Sequence, residues 1–145
     1  MDYGIQETFM NEVLDNYFSG ASNYSIYIGL GLSNEGGSVN MNDFIEPDVA
    51  AGYAKQPFVA TTAVGGISYN ATDIVFGTAT APWTVDGRVI DKVGLFYKTE
   101  FTSGGETEEQ YTLWCVLPLV PSETVTTGDT VIINTNAIRL QLTNK

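Results

Sequence analysis

Asn40, Asn42, Asp43, Glu46 and Asp48 crowd oxygen-bearing side chains into one short acidic stretch, and such a set can hold a hard cation such as calcium. Their spacing matches no calcium loop, which leaves a solvated loop as the simpler reading. Asp86, Asp91, Glu100 and the run Glu106, Glu108, Glu109 raise a second chemistry, because paired carboxylates hydrolyse glycosides. However, Asp86-Gly87 is a turn signal, and the glutamate run adjoins Gly104-Gly105 at an expected hairpin tip, where charge faces water. In GLGLSNEGG the third glycine of a phosphate-binding G-x-G-x-x-G falls on Asn34, and no helix pattern follows. Tyr53, Phe58, Trp83, Phe96, Tyr97 and Trp114 can build a sugar-stacking surface, although aromatics spaced along strands more often form core or interface. Lys55 is the first cation of the chain, in AGYAKQPF, and reads as a counter-charge to Glu46 or Asp48, or as a contact between subunits.

The totals narrow the chemistry further. The chain has no histidine, so the commonest general base and transition-metal ligand are missing. Its one cysteine, Cys115, lies among Leu113, Trp114, Val116 and Leu117, which suggests an inert thiol that forms no internal disulfide. No catalytic group, cofactor site or metal site is expected, and the chain is read as a non-enzyme. Seventeen acidic against six scattered basic residues give a net charge of −11, which argues against nucleic acid as a partner. The opening residues carry Asp2, Glu7, Glu12 and Asp15 rather than the positive charge of a secretory signal. Around LWCVLPLVP the longest apolar run is broken by Pro118 and Pro121, far short of the roughly 20 residues of a membrane helix, so no membrane partner is expected. The sequons at Asn23 and Asn70 carry no weight without a secretory route.

These residues must be positioned by elements that the hydrophobic pattern can locate. Ile5, Phe9, Val13 and Tyr17, with Leu14 and Phe18, recur at spacings of four and predict one amphipathic helix over residues 3–19, with Asp2 as a candidate N-cap and Gly20 as its end. Alternation then takes over, and strands are expected at SIYIGL, QPFVATTAV, DIVFGTA, GRVIDKVGLFYK, EEQYTLWCVLP, DTVIINT and AIRLQLT. Turn signals at Gly65-Gly66, Asp86-Gly87, Gly104-Gly105 and Gly128-Asp129 separate them. No helical pattern lies between strands to make parallel crossovers. The expectation is a single domain over 1–145: a helix over 1–20, then a β domain over 21–145. That domain is expected to be an antiparallel β-sandwich or barrel of about seven to eight strands.

In order along the chain, several motifs resemble a family of small structural proteins of tailed bacteriophages, of the tail-fibre-like or virion type. They are the N-terminal helix leading to Tyr27-Ile28-Gly29-Leu30, then Gly52-Tyr53-Ala54-Lys55, IVFGTATAPW, VGLF at 93–96, and LWCVLPLVPSETVTTGDTVII. This chain has Lys55 where the family usually has Arg, and its acidic hairpin EFTSGGETEEQ is longer than the usual tight connection. The resemblance implies a non-catalytic virion protein, made in the host cytoplasm and carried on the particle exterior. It would act as a capsid decoration or cement protein in contact with the major capsid protein, as a homo-oligomer such as a trimer. Two alternatives are a tail or tail-fibre component contacting tail proteins, and a carbohydrate-binding module or depolymerase. Ile5, Phe9, Val13, Tyr17, Tyr53, Lys55 and Trp83 are the expected interaction residues.

Overall fold

The computed structural model describes residues 7–18, 25–33 and 44–141, with the backbone alone for 7–10. Ile5, Asn40, Asn42, Asp43, Asp2, Gly20 and the side chain of Phe9 lie outside the described residues. The chain is mainly β, with antiparallel sheets and one helix near the N-terminus.

Helix α1 spans Glu7–Phe18, followed by β1 (Ser25–Leu32), a single 3-10 turn (Val49–Ala51), β2 (Gln56–Pro57), β3 (Ile67–Tyr69) and β4 (Ile74–Thr78). β5 (Ile90–Ser103), β6 (Glu106–Glu123), β7 (Thr130–Ile133) and β8 (Arg139–Gln141) complete the chain. They sort into a four-stranded sheet in the order β2-β1-β5-β6 and two ribbons, β3-β8 and β4-β7, each pairing antiparallel. Ile28, Leu30, Leu95 and Ile90 of the sheet share one core with Phe76, Trp83 and Val125. Among the described residues no helix is long and apolar enough to cross a membrane.

All four turn signals are used. Gly65-Gly66, Asp86-Gly87 and Gly104-Gly105 each adopt two positive φ angles, the backbone that a tight two-residue turn demands and that favours glycine and aspartate. The acidic hairpin is therefore not a long loop: Ser103 pairs with Glu106 directly across Gly104-Gly105, and the extra length lies in the two strands. The strand expected at QPFVATTAV shrinks to Gln56–Pro57, followed by single bridges from Ala60 to Asn70 and Val64 to Ile67. β3 was not foreseen, and β6 runs on through both Pro118 and Pro121, which an edge strand tolerates.

The helix packs on its own β domain, and its face is rotated from the expected stripe. Leu14 is buried, while Asn11 and Asp15 turn inward and accept hydrogen bonds from the Gly66 and Ala63 amides, each at 2.7 Å. Phe18 meets Phe58 and Trp114 edge-on, and Tyr17 meets Trp114. The inward face is thus Asn11, Leu14, Asp15 and Phe18, at one helical repeat. Val13 and Tyr17 are half-buried, and Tyr17 is occupied within its own chain.

Two exposed aspartates close turns in the ribbons. Asp73 accepts from the amide and hydroxyl of Thr135, and Asp129 does the same for Thr126. These bonds hold both carboxyls below their ordinary value of 3.8. A lowered folded pKa gives stability that is complete above the unfolded value and is lost as pH falls through the folded one. Urea midpoints are therefore expected to fall below about pH 4, and less so in an Asp73→Asn, Asp129→Asn double variant. An identical acid limb in both proteins would refute this assignment.

Candidate interaction site

The residues around Lys55 form one network that completes the edge of β1. β2 pairs with β1 only at Tyr27 and Ile28, so the outer amides of β1 beyond that point need other partners. The Tyr53 hydroxyl accepts from Leu30 N at 2.9 Å and donates to Glu46 Oε1 at 2.6 Å, and Ile45 O accepts from Leu32 N. Lys55 Nζ reaches the other Glu46 oxygen at 2.7 Å and lies over the Phe96 and Tyr111 rings at 4.7 and 4.6 Å. Gly29 makes this possible, because a Cβ there would stand 2.5 Å from Glu46 Oε1 and 2.9 Å from the Tyr53 hydroxyl. Lys55 is thus a counter-charge to Glu46 and a lid over aromatic faces, an arrangement that holds structure.

Tyr53 and Trp83 were expected at an interaction or sugar-stacking surface, and the structure corrects both. They are 3% and 2% exposed. Tyr53 stacks on Phe76 and meets Trp83 edge-on, and Trp83 donates from Nε1 to Ala51 O at 2.9 Å. Both rings sit in or beside irregular segments whose facing cannot be read from alternation, and core packing claims them. Trp114 is half-buried against Tyr97, Tyr17 and Phe18. Asn70, the second sequon, is fully buried and bonds to Thr72, Asn134 and Ile138.

Burial and the Glu46 charge push the Tyr53 hydroxyl far above its ordinary value of 10.0. For such a group the stability contribution is complete below the unfolded pKa and fades as pH rises above it, since only the unfolded chain then ionises freely. Alkaline unfolding is expected to begin near about pH 10, with a shallower pH dependence in Tyr53→Phe. An ultraviolet titration showing Tyr53 ionising in the folded protein at about pH 10 would contradict the network.

The described candidate carboxylates Asp86, Asp91, Glu100 and Glu109 lie in a turn or beside a lysine. Asp86 lies in a turn, and Asp91 adjoins Lys92 at 3.4 Å. Glu100 and Glu109 face each other across β5 and β6 and share Lys98, at 3.3 and 2.8 Å. The shared ammonium relieves a like-charge pair and lowers the Glu109 pKa, opposite to the shift a general acid needs. Burial pushes the Cys115 thiol up, which keeps it protonated and unreactive. Among the described residues no group of three or more Asp, Glu or Cys is placed to hold a metal.

What remains open is the far edge of the sheet. From Thr99 the β5-β6 ribbon extends beyond the body, with Glu100 through Gln110 all exposed and Phe101 54% exposed. β6 then continues as an edge strand, paired among the described residues only with β5, and Tyr111 through Ser122 carry no charge in a chain of net −11. Val120 is 85% exposed. Two adjoining clefts of about 480 and 310 Å³ run between β6 and β7, with Leu119 and Ile133 common to both. The uncharged run was visible in the sequence, where it read as an expected strand and as an apolar stretch too short for a membrane helix. No family model, no curated protein and no solved structure matches the chain.

Proposed function

We propose that this chain is a non-catalytic structural protein on the exterior of a tailed-phage particle, a capsid decoration or cement protein working through protein-protein contacts. The observation that carries the reading is the division of the molecule. Among the described residues Tyr53, Glu46, Lys55, Lys98 and Glu109 are tied into structural bonds, while an uncharged strand edge and a projecting acidic hairpin are left to solvent. A net charge of −11 suits a surface facing away from packaged DNA, which would repel it. The buried positions of Tyr53 and Trp83 take away two of the rings on which a carbohydrate-binding reading rests. Particle reconstruction with labelled antibodies tests the proposal: density on the outer face of the head is expected. Label confined to the tail would favour a tail component, and particles lacking the protein would overturn the virion reading.

A further inference from the structure

We infer that the β6-β7 groove is the seat of a second copy of this chain, bound about a twofold axis. Among the described residues β6 pairs with β5 alone and β7 with β4 alone, so each has one edge that no other described strand pairs. Natural edge strands are commonly blunted by charge or proline, and the stretch of β6 beside the groove carries Pro118 and Pro121 but no charge between Tyr111 and Ser122. Two copies each carrying −11 repel each other over most approaches, and the acidic ribbon is the worst of them. The uncharged strip is where close approach costs least.

The occupant is a second copy because the patch is complementary to itself, as a twofold interface requires. It carries a protruding apolar side chain, Val120, beside an apolar hollow lined by Leu117, Leu119 and Ile133. It also carries opposite charges at opposite ends. Glu123 and Asp129 line one cleft and Arg139 the other, with Leu119 and Ile133 common to both. Glu123 and Arg139 are both exposed. A twofold near Leu119 and Ile133 exchanges the ends, setting Arg139 of each copy against Glu123 of the other and Val120 of each over the partner's hollow. Leu113 through Pro121 extends about 30 Å. A standard interface takes about 800 Å² per partner, close to a tenth of the 8741 Å² surface of this chain, so the strip needs covering over a width of only about 25 Å.

Sedimentation velocity on the purified full chain, up to about 100 μM, tests this. A species of twice 15.7 kDa is expected, with Val120→Asp weakening it about tenfold or more. Glu123→Arg and Arg139→Glu should each weaken the dimer alone, and an equimolar mixture of the two should restore it, because both cross-copy pairs are then opposite in charge. These positions are exposed, and circular dichroism melts verify that each variant folds. A monomer at every concentration, a threefold mass, a dimer untouched by Val120→Asp, or a mixture that fails to re-associate would each overturn the proposal. The twofold deepens the assembly side of the structural role proposed above, but is read on the isolated chain. A monomer there refutes the twofold alone, and particles lacking the protein refute the virion placement alone.

Discussion

Trp83→Ala is expected to lower the unfolding free energy by about 3–5 kcal/mol, enough to shift the melting temperature by about 10 °C or more. Trp83 is among the largest fully buried side chains and touches the core from an irregular segment between β4 and β5. Its edge-on contact with Tyr53, at 5.5 Å between centroids, ties that segment to the ring supporting the open edge of β1. The cost is mostly cavity and lost contact rather than hydrogen bonding. Ala51 O, which accepts from Trp83 Nε1, also accepts from Thr80 N at 2.9 Å, so removing the indole leaves no orphaned carbonyl. Trp83→Phe, which keeps most of the volume, should therefore cost about 1–2 kcal/mol. Guanidinium unfolding followed by circular dichroism measures both, and an alanine variant within about 1 kcal/mol of the parent would remove Trp83 from the core.

The same residue marks the boundary of what could be read in advance. Strands β1, β4, β5, β7 and β8 were legible because apolar residues pattern them and glycine-bearing turns precede β5 and β7, and both signals are local. The inward face of α1 was not. Two of its four inward positions are Asn11 and Asp15, whose task is to accept the amides of Gly66 and Ala63, and hydrophobic spacing cannot register a polar group turned inward to meet a distant backbone donor. The completion of the β1 edge beyond Gln56 was hidden for a related reason. The Tyr53 hydroxyl and the Ile45 carbonyl stand in for strand neighbours along β1, and a side chain completing a ladder leaves no periodic trace. The groove between β6 and β7 was invisible in a deeper sense. It exists because β5 pairs with β1 and β6, and β7 with β4, and which edges stay unpaired is a property of topology rather than of any stretch of residues.

The second large effect is expected at Glu46. Glu46→Ala should cost about 2–4 kcal/mol, because it removes two partners at once. The Tyr53 hydroxyl loses its acceptor, and Lys55 keeps only the Phe96 and Tyr111 rings, worth about 1 kcal/mol each at a partly exposed site. The pair is neither buried nor bare, with side chains 20% and 22% exposed, which places the loss below that of a fully buried charge pair. Lys55→Met should cost less, about 1–2 kcal/mol, since its stem still covers both rings and Glu46 keeps the Tyr53 hydroxyl. If the network acts as a unit, Glu46→Ala with Lys55→Met will cost less than the two single losses added, by about 1 kcal/mol or more. Strict additivity would mean that the ion pair contributes nothing beyond its separate contacts. Lys55→Arg sharpens the point. A guanidinium gains most from two carboxylate oxygens, but Oε1 of Glu46 already accepts from the Tyr53 hydroxyl, so the oxygen left wholly to the cation is the other, at 2.7 Å from the ammonium. The exchange should therefore change stability by less than about 1 kcal/mol, because this carboxylate is divided between a hydroxyl and a cation, and a point charge is what its second oxygen can use.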